Sequence, residues 1–135
     1  MIINFTSDVD GVLLDFESTW MRCAQESLGK EIPKVSKSFY LEKRFCLTKE
    51  ECHRVWEDFN DQGWWFKVRP FPETPEFIRE LSFLPVNFCA VTNADHRFYM
   101  DRVISLKGII HPRNLFLLGF NGSPETRAQR LKYME

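Results

Sequence analysis

No apolar stretch in this sequence approaches the roughly 18 residues that a membrane-spanning helix needs. Nor does a basic segment followed by an apolar one stand at Met1, so a secretory leader of the usual form is not expected. An excess of charge is equally absent. The 18 Lys and Arg against 19 Asp and Glu leave a net charge of −1, which argues against a partner that is a nucleic acid polymer or a membrane surface. A small anionic substrate needs only a local positive site and stays open. The four cysteines, Cys23, Cys46, Cys52 and Cys89, never take Cys-x-x-Cys spacing. Cys89 sits in an apolar run and reads as a small core residue, and all four read as reduced thiols of a cytoplasmic protein. The sequons Asn4-Phe5-Thr6 and Asn121-Gly122-Ser123 read as chance in that setting. No internal repeat or low-complexity segment is found, which excludes solenoids and arrays.

What is present suits a packed core. Apolar residues make up 44% of 135 residues, with 13 Phe, a length that fits one domain with a small insertion. The opening stretch sets the organisation. Ile2, Ile3 and Phe5 run into Thr6-Ser7-Asp8-Val9-Asp10-Gly11-Val12-Leu13-Leu14-Asp15, and an apolar run ending in turn residues predicts a buried strand. Asp8 and Asp10 stand at its end, where open α/β sheets bind ligands. Two neighbouring carboxylates repel, and a hard cation such as Mg²⁺ relieves that repulsion. A carboxylate can also attack phosphorus to give an aspartyl-phosphate. A polar turn with two Asp is the plain alternative.

Beyond it, Phe16, Trp20, Cys23, Ala24, Ser27 and Leu28 recur at helical spacing, with Gly29 as a stop. Lys30 to Lys37 reads as a connection, and Ser38 to Leu47 as a short helix or irregular piece. Thr48 and Glu51 form a capping box for a helix that carries Cys52, Val55, Trp56 and Phe59 on one face and ends near Gly63. Thr74-Pro75-Glu76 predicts another helix start with Thr74 as N-cap. Its inward face is Phe77, Ile78, Leu81 and Leu84. Val86 to Val91 is a strand apolar enough to be covered on both faces. A helix follows from His96 to Lys107 with Gly108 as its stop, then a strand at Leu115 to Leu118. A last helix opens at Ser123-Pro124-Glu125 and runs through Tyr133. Strand–helix alternation predicts an α/β fold, a three-layer, doubly wound, mostly parallel sheet. The purely helical stretch between the first strand and Pro70 is too long for one crossover. Residues 1–15 and 70–135 are therefore expected to form the core, and 16–69 a small helical cap inserted after the first strand.

The run from Asp8 to Asp15 resembles the first motif of haloacid-dehalogenase-like (HAD) phosphohydrolases, Asp-x-Asp-Gly-x-hydrophobic-hydrophobic-Asp after a strand. Asp8 to Glu17 is most similar to the 5'(3')-deoxyribonucleotidases of that superfamily. The glycine-aromatic-aromatic segment from Gly63 and the Pro-x-Pro pair Pro70-Phe71-Pro72 add to the likeness, which covers nearly the whole chain. The resemblance implies Asp8 as nucleophile and Asp10 as general acid/base, with Asp8 and Asp10 (through its carbonyl) holding Mg²⁺. It implies a cap over the active site. Val91-Thr92-Asn93 fits the second motif, in which a strand-end hydroxyl and nearby backbone N–H groups hold a phosphoryl oxygen. The third motif is a charge-neutralising lysine, for which Lys132 is the candidate, with Arg127 and Arg130 as neighbours. A solvated basic helix face is its plain alternative.

Trp64, Trp65 and Phe66 are adjacent aromatics that either stack a nucleobase or pack a core. His53 and His96 lack partners at metal-ligand spacing. The superfamily's fourth motif, a strand ending in two acids that complete the Mg²⁺ shell, has no counterpart after Leu118. The expectation is therefore a shortened product, or a protein that has lost that part, with weakly held metal and an exposed sheet edge that invites pairing with another chain. The functions in contention are a Mg²⁺-dependent phosphomonoester hydrolase, acting on a nucleoside monophosphate or similar small phosphate ester, and a non-catalytic phosphoryl-binding or interaction protein of the same fold.

Overall fold

In the computed structural model, residues 3–93 and 95–117 are described. The chain divides into two compact units, Phe16–Val68 and the pair of segments Met1–Asp15 and Arg69–Glu135.

The second unit is built on a parallel sheet in the order β1-β2-β3, from β1 (Ile3–Asp8), β2 (Val86–Thr92) and β3 (Leu115–Leu117). Register runs from Ile3 opposite Val86 to Asp8 opposite Val91, and from Ala90 opposite Leu115 to Thr92 opposite Leu117. With its flanking helices this is the expected α/β architecture with a parallel sheet. Burial is uneven along the strands. Ala90, Val91, Thr92, Leu115 and Leu117 are buried, whereas Ile3 is 58% and Phe5 37% exposed. The expectation of a buried first strand therefore fails along β1, none of whose residues is buried, and that of a second strand covered on both faces fails at its leading end. Among the described residues β1 pairs only with β2. Asn4 and Thr6 of β1, with Asn87 and Cys89 of β2, also line an open cavity of about 930 Å³. On the other face Phe5 stacks on Phe88, with centroids 5.8 Å apart, and meets the ring of Phe77.

The Phe16–Val68 unit is helical: α1 (Phe16–Leu28), α2 (Leu41–Arg44), α3 (Lys49–Asp61) and α4 (Trp64–Lys67). Gly29, at φ 64°, ends α1 as its spacing predicts. The capping box opens α3: the Glu51 N–H donates to Thr48 Oγ1 at 3.1 Å and the Thr48 N–H to Glu51 Oε1 at 3.0 Å. The core is aromatic. Trp20 stacks on Phe45 at 5.6 Å, and Phe59 meets Trp65 edge-on at 4.9 Å. Trp20, Phe45, Val55 and Phe59 are fully buried.

Two helices of the sheet unit differ from expectation. In α5 (Thr74–Leu81) the cap position falls on Glu73, which makes no side-chain capping bond. The Thr74 hydroxyl instead donates to the Leu13 carbonyl at 2.7 Å. A buried hydroxyl gains more from an unsatisfied carbonyl lone pair than from a solvent-facing cap. The expected inward face of α5 is only partly inward, since Phe77 is 40% and Leu84 55% exposed. The helix expected from His96 to Lys107 is a 3₁₀ turn, His96–Phe98, followed by α6 (Tyr99–Ser105), with Gly108 at φ 79° beyond. Asp95 caps the turn by accepting from the Arg97 N–H at 2.9 Å. Leu118, the last predicted helix and Lys132 lie outside the described residues.

Candidate functional site

β1 ends at Asp8, and the next seven residues close into a tight loop whose apolar members are its anchors. Val9, Leu13 and Leu14 are at most 1% exposed. The Val9 carbonyl accepts from the Leu13 and Leu14 N–H groups, both at 2.9 Å, and the Gly11 N–H returns to the Leu14 carbonyl at 2.9 Å. That closure requires a left-handed residue, and Gly11, at φ 79°, meets it without a Cβ penalty. The loop is also fastened from outside. The Leu13 carbonyl takes the Phe71 N–H at 3.1 Å as well as the Thr74 hydroxyl, and the Asp15 N–H donates to the Arg69 carbonyl at 2.8 Å. Leu14 bridges Pro70.

This frame sets the two carboxylates differently. Asp8 is exposed, with Oδ1 accepting the Val9 N–H at 2.9 Å. Asp10 turns toward the interior, where Arg102 grips it with two parallel bonds, Nη1 to Oδ1 at 2.6 Å and Nη2 to Oδ2 at 2.8 Å. Arg102 has no exposed surface, while the Asp10 side chain keeps 28% of its own. The Thr92 hydroxyl, at the end of β2, is a further hydrogen-bond partner of Asp10. Burial pushes the Asp10 carboxyl above its ordinary value, and Arg102 pulls against that push. The nearby negative charge of Asp8 raises it further and the Thr92 hydrogen bond lowers it. Asp8, Asp10 and Thr92 thus gather at the carboxyl ends of adjacent strands, and Asn93 follows Thr92, half-buried.

Arg102 escapes a reading that searches only for acidic and hydroxyl motifs. Its signal lies in helix periodicity: Phe98, Arg102 and Leu106 recur at i, i+4, i+8, and all three are buried. A guanidinium on the apolar stripe of a helix demands a carboxylate.

The aromatic triplet is divided in its roles. Trp64 and Trp65 are buried at 2% and 4% exposure. The Trp65 Nε1–H donates to Asn60 Oδ1 at 2.8 Å, and Lys67 Nζ lies 4.2 Å from the Trp64 ring centroid. Both indoles therefore belong to the core of the helical unit, and Phe66, 45% exposed, is the member with a solvent-facing ring. His53 pairs with Glu57 one turn along α3, at 2.9 Å and in solvent. Among the described residues no group of three or more His, Cys, Asp or Glu is arranged to hold a metal. Asp8 and the Asp10 main-chain carbonyl are hard oxygen donors, a set that suits only a cation keeping several of its waters, as Mg²⁺ does. No helix among the described residues is long and apolar enough to cross a membrane.

The fold is that of HAD-family hydrolases. A HAD-family hydrolase from Deinococcus radiodurans, solved with phosphate and sodium bound, superposes with a TM-score of 0.60 at 18% identity, over 96% of this chain and 67% of that one. A haloacid dehalogenase-like hydrolase from Streptococcus pneumoniae gives 0.60 at 19%, over 98% and 70%. A subfamily IA HAD hydrolase from Geobacter sulfurreducens gives 0.56 at 15%, over 98% and 72%. The narrower likeness to deoxyribonucleotidases finds no support among these structures. No protein-family model and no curated protein matches the chain.

Proposed function

We propose that the chain is a phosphomonoester hydrolase that works through an aspartyl-phosphate on Asp8. The observation that carries this reading is the meeting of Asp8, Asp10 and Thr92 at the ends of β1 and β2, with Asp8 exposed and Asp10 clamped by Arg102. An Asp8 oxygen attacks phosphorus as the bond to the ester oxygen breaks, and Asp10 gives its proton to that oxygen. Water then attacks the aspartyl-phosphate, Asp10 takes back a proton, and the break of the Asp8–phosphorus bond releases inorganic phosphate. Thr92 and Asn93 receive phosphoryl oxygens, with Lys132 as the counter-charge the family resemblance implies. Mg²⁺, when bound, would offset charge on the phosphoryl group, and Asp8 and the Asp10 carbonyl would hold it.

The helical unit is proposed as a cap and the substrate as a nucleoside monophosphate, on the strength of the deoxyribonucleotidase resemblance and the exposed ring of Phe66. Hydrolysis of p-nitrophenyl phosphate with millimolar Mg²⁺ tests the reaction. Turnover in the native chain that vanishes in Asp8→Asn supports it. A series of nucleoside and sugar monophosphates then tests the substrate class. The second reading, a phosphoryl-binding protein without catalysis, is favoured by the engagement of Asp10 with Arg102. It would be revealed by phosphate binding without turnover.

A further inference from the structure

Arg102 takes part in no bond-making or proton-transfer step of the proposed reaction, although it is the most completely buried cation among the described residues. We infer that Arg102 is a positioning residue: its guanidinium holds the Asp10 carboxylate, and through it the Gly11 turn, in fixed register with Asp8. Three observations support this. The grip is bidentate, at 2.6 and 2.8 Å, which fixes the plane of the carboxylate as well as its distance. The two residues come from opposite sides of the sheet unit's sequence, Asp10 in the loop after β1 and Arg102 in the middle of α6. Finally, the amides next to Asp10 close the loop upon itself, Gly11 to Leu14 and both Leu13 and Leu14 to Val9. A carboxylate held from α6 therefore pins the same turn that carries Asp8 at its other end. The groups facing Asp10 are Arg102 from α6, Thr92 from β2 and Asp8 from its own segment. A hydroxyl alone cannot fix the carboxylate plane.

Lysine keeps the charge but cannot form the planar fork, so Arg102→Lys separates positioning from charge, and Arg102→Met removes both. The test is site-resolved amide hydrogen exchange by NMR on the whole chain. In both variants, exchange at Gly11, Leu13 and Leu14 is expected to rise about tenfold or more while α3 amides such as Val55 keep their native rates. Asp10→Asn should loosen the same amides, and the double variant should add little to either single one. Where turnover is measurable, kcat should fall about tenfold or more in Arg102→Lys with KM within about twofold. Unchanged exchange at the three loop amides, or a uniform rise across both units, overturns the inference. So does an unchanged kcat in a loosened loop. The kinetic arm rests on the proposed hydrolase. If the native chain shows no Asp8-dependent turnover, that function fails and the exchange measurement still decides whether Arg102 is the clamp.

Discussion

The helical unit and the sheet unit bury their apolar residues in opposite ways. In Phe16–Val68 most large rings face inward, with Trp20, Phe45, Phe59 and Trp64 at most 2% exposed, and Phe39, Tyr40 and Phe66 are the exceptions. In the sheet unit Ile3, Phe5, Phe77, Phe83 and Leu84 all keep more than a third of their surface. Burial there is concentrated at the carboxyl ends of the strands, around Val9, Ala90, Val91 and Thr92. The helical unit is thus organised about a continuous core, and the sheet unit about one end of its sheet. That end is also where the carboxylates gather. A charged cluster keeps its geometry only where packing around it is dense, so the distribution of burial singles out the end of the sheet where the proposed site lies.

The sharpest test of the contrast is Asp8→Asn. Asp8 is exposed and its side chain accepts from the amide of the next residue, so the variant should lose at least about a thousandfold in turnover with its unfolding midpoint unchanged. A matched fall in stability would place Asp8 in the scaffold. Next in size, Phe59→Ala should cost about 3–5 kcal/mol in denaturant unfolding, while Phe5→Ala, with 37% of its residue exposed, should cost about 1 kcal/mol. Equal costs would erase the difference between the units.

Cysteine labelling probes the same contrast kinetically. Burial pushes the Cys23 thiol up to about 12, helped by the nearby charges of Asp58 and Glu26. At pH 8 its thiolate is then about one part in ten thousand. Exposed Cys46 should react with iodoacetamide more than about a hundredfold faster than Cys23, as followed by mass spectrometry. Comparable rates would show that the helical core opens readily. The smallest effect is expected at the capping box: Thr48→Ala should lower stability by about 1 kcal/mol, and no change would mean that α3 is held by its rings alone.

The sequence was most informative wherever local chemistry decides. The strand end at Asp8, the Gly29 stop and the Thr48–Glu51 box depend on residues within one turn of each other. It was least informative where a partner lies far along the chain. Thr74 has every local feature of an N-cap, yet its hydroxyl serves the distant Leu13 carbonyl. The exposure of Ile3 and Phe5 is set by what lies beside β1, which alternation within β1 does not encode. The place of Arg102 on an apolar stripe hints at a buried partner, but that partner, Asp10, stands ninety-two positions away. The division of Trp64 and Trp65 from Phe66 likewise follows from the packing of α1 and α3 rather than from their shared aromatic character. Lys132 lies outside the described residues, and its role stays with the proposal.

The bond from the Asp15 N–H to the Arg69 carbonyl, flanked by the Leu14–Pro70 bridge, brings the two borders of the helical segment within one hydrogen bond of each other. A segment hung on so narrow a stem adds no separation that the sheet must span. Closing such a loop grows more costly only with the logarithm of its length. Variants with a longer, shorter or foreign segment at this junction are accordingly accessible without rebuilding the strands.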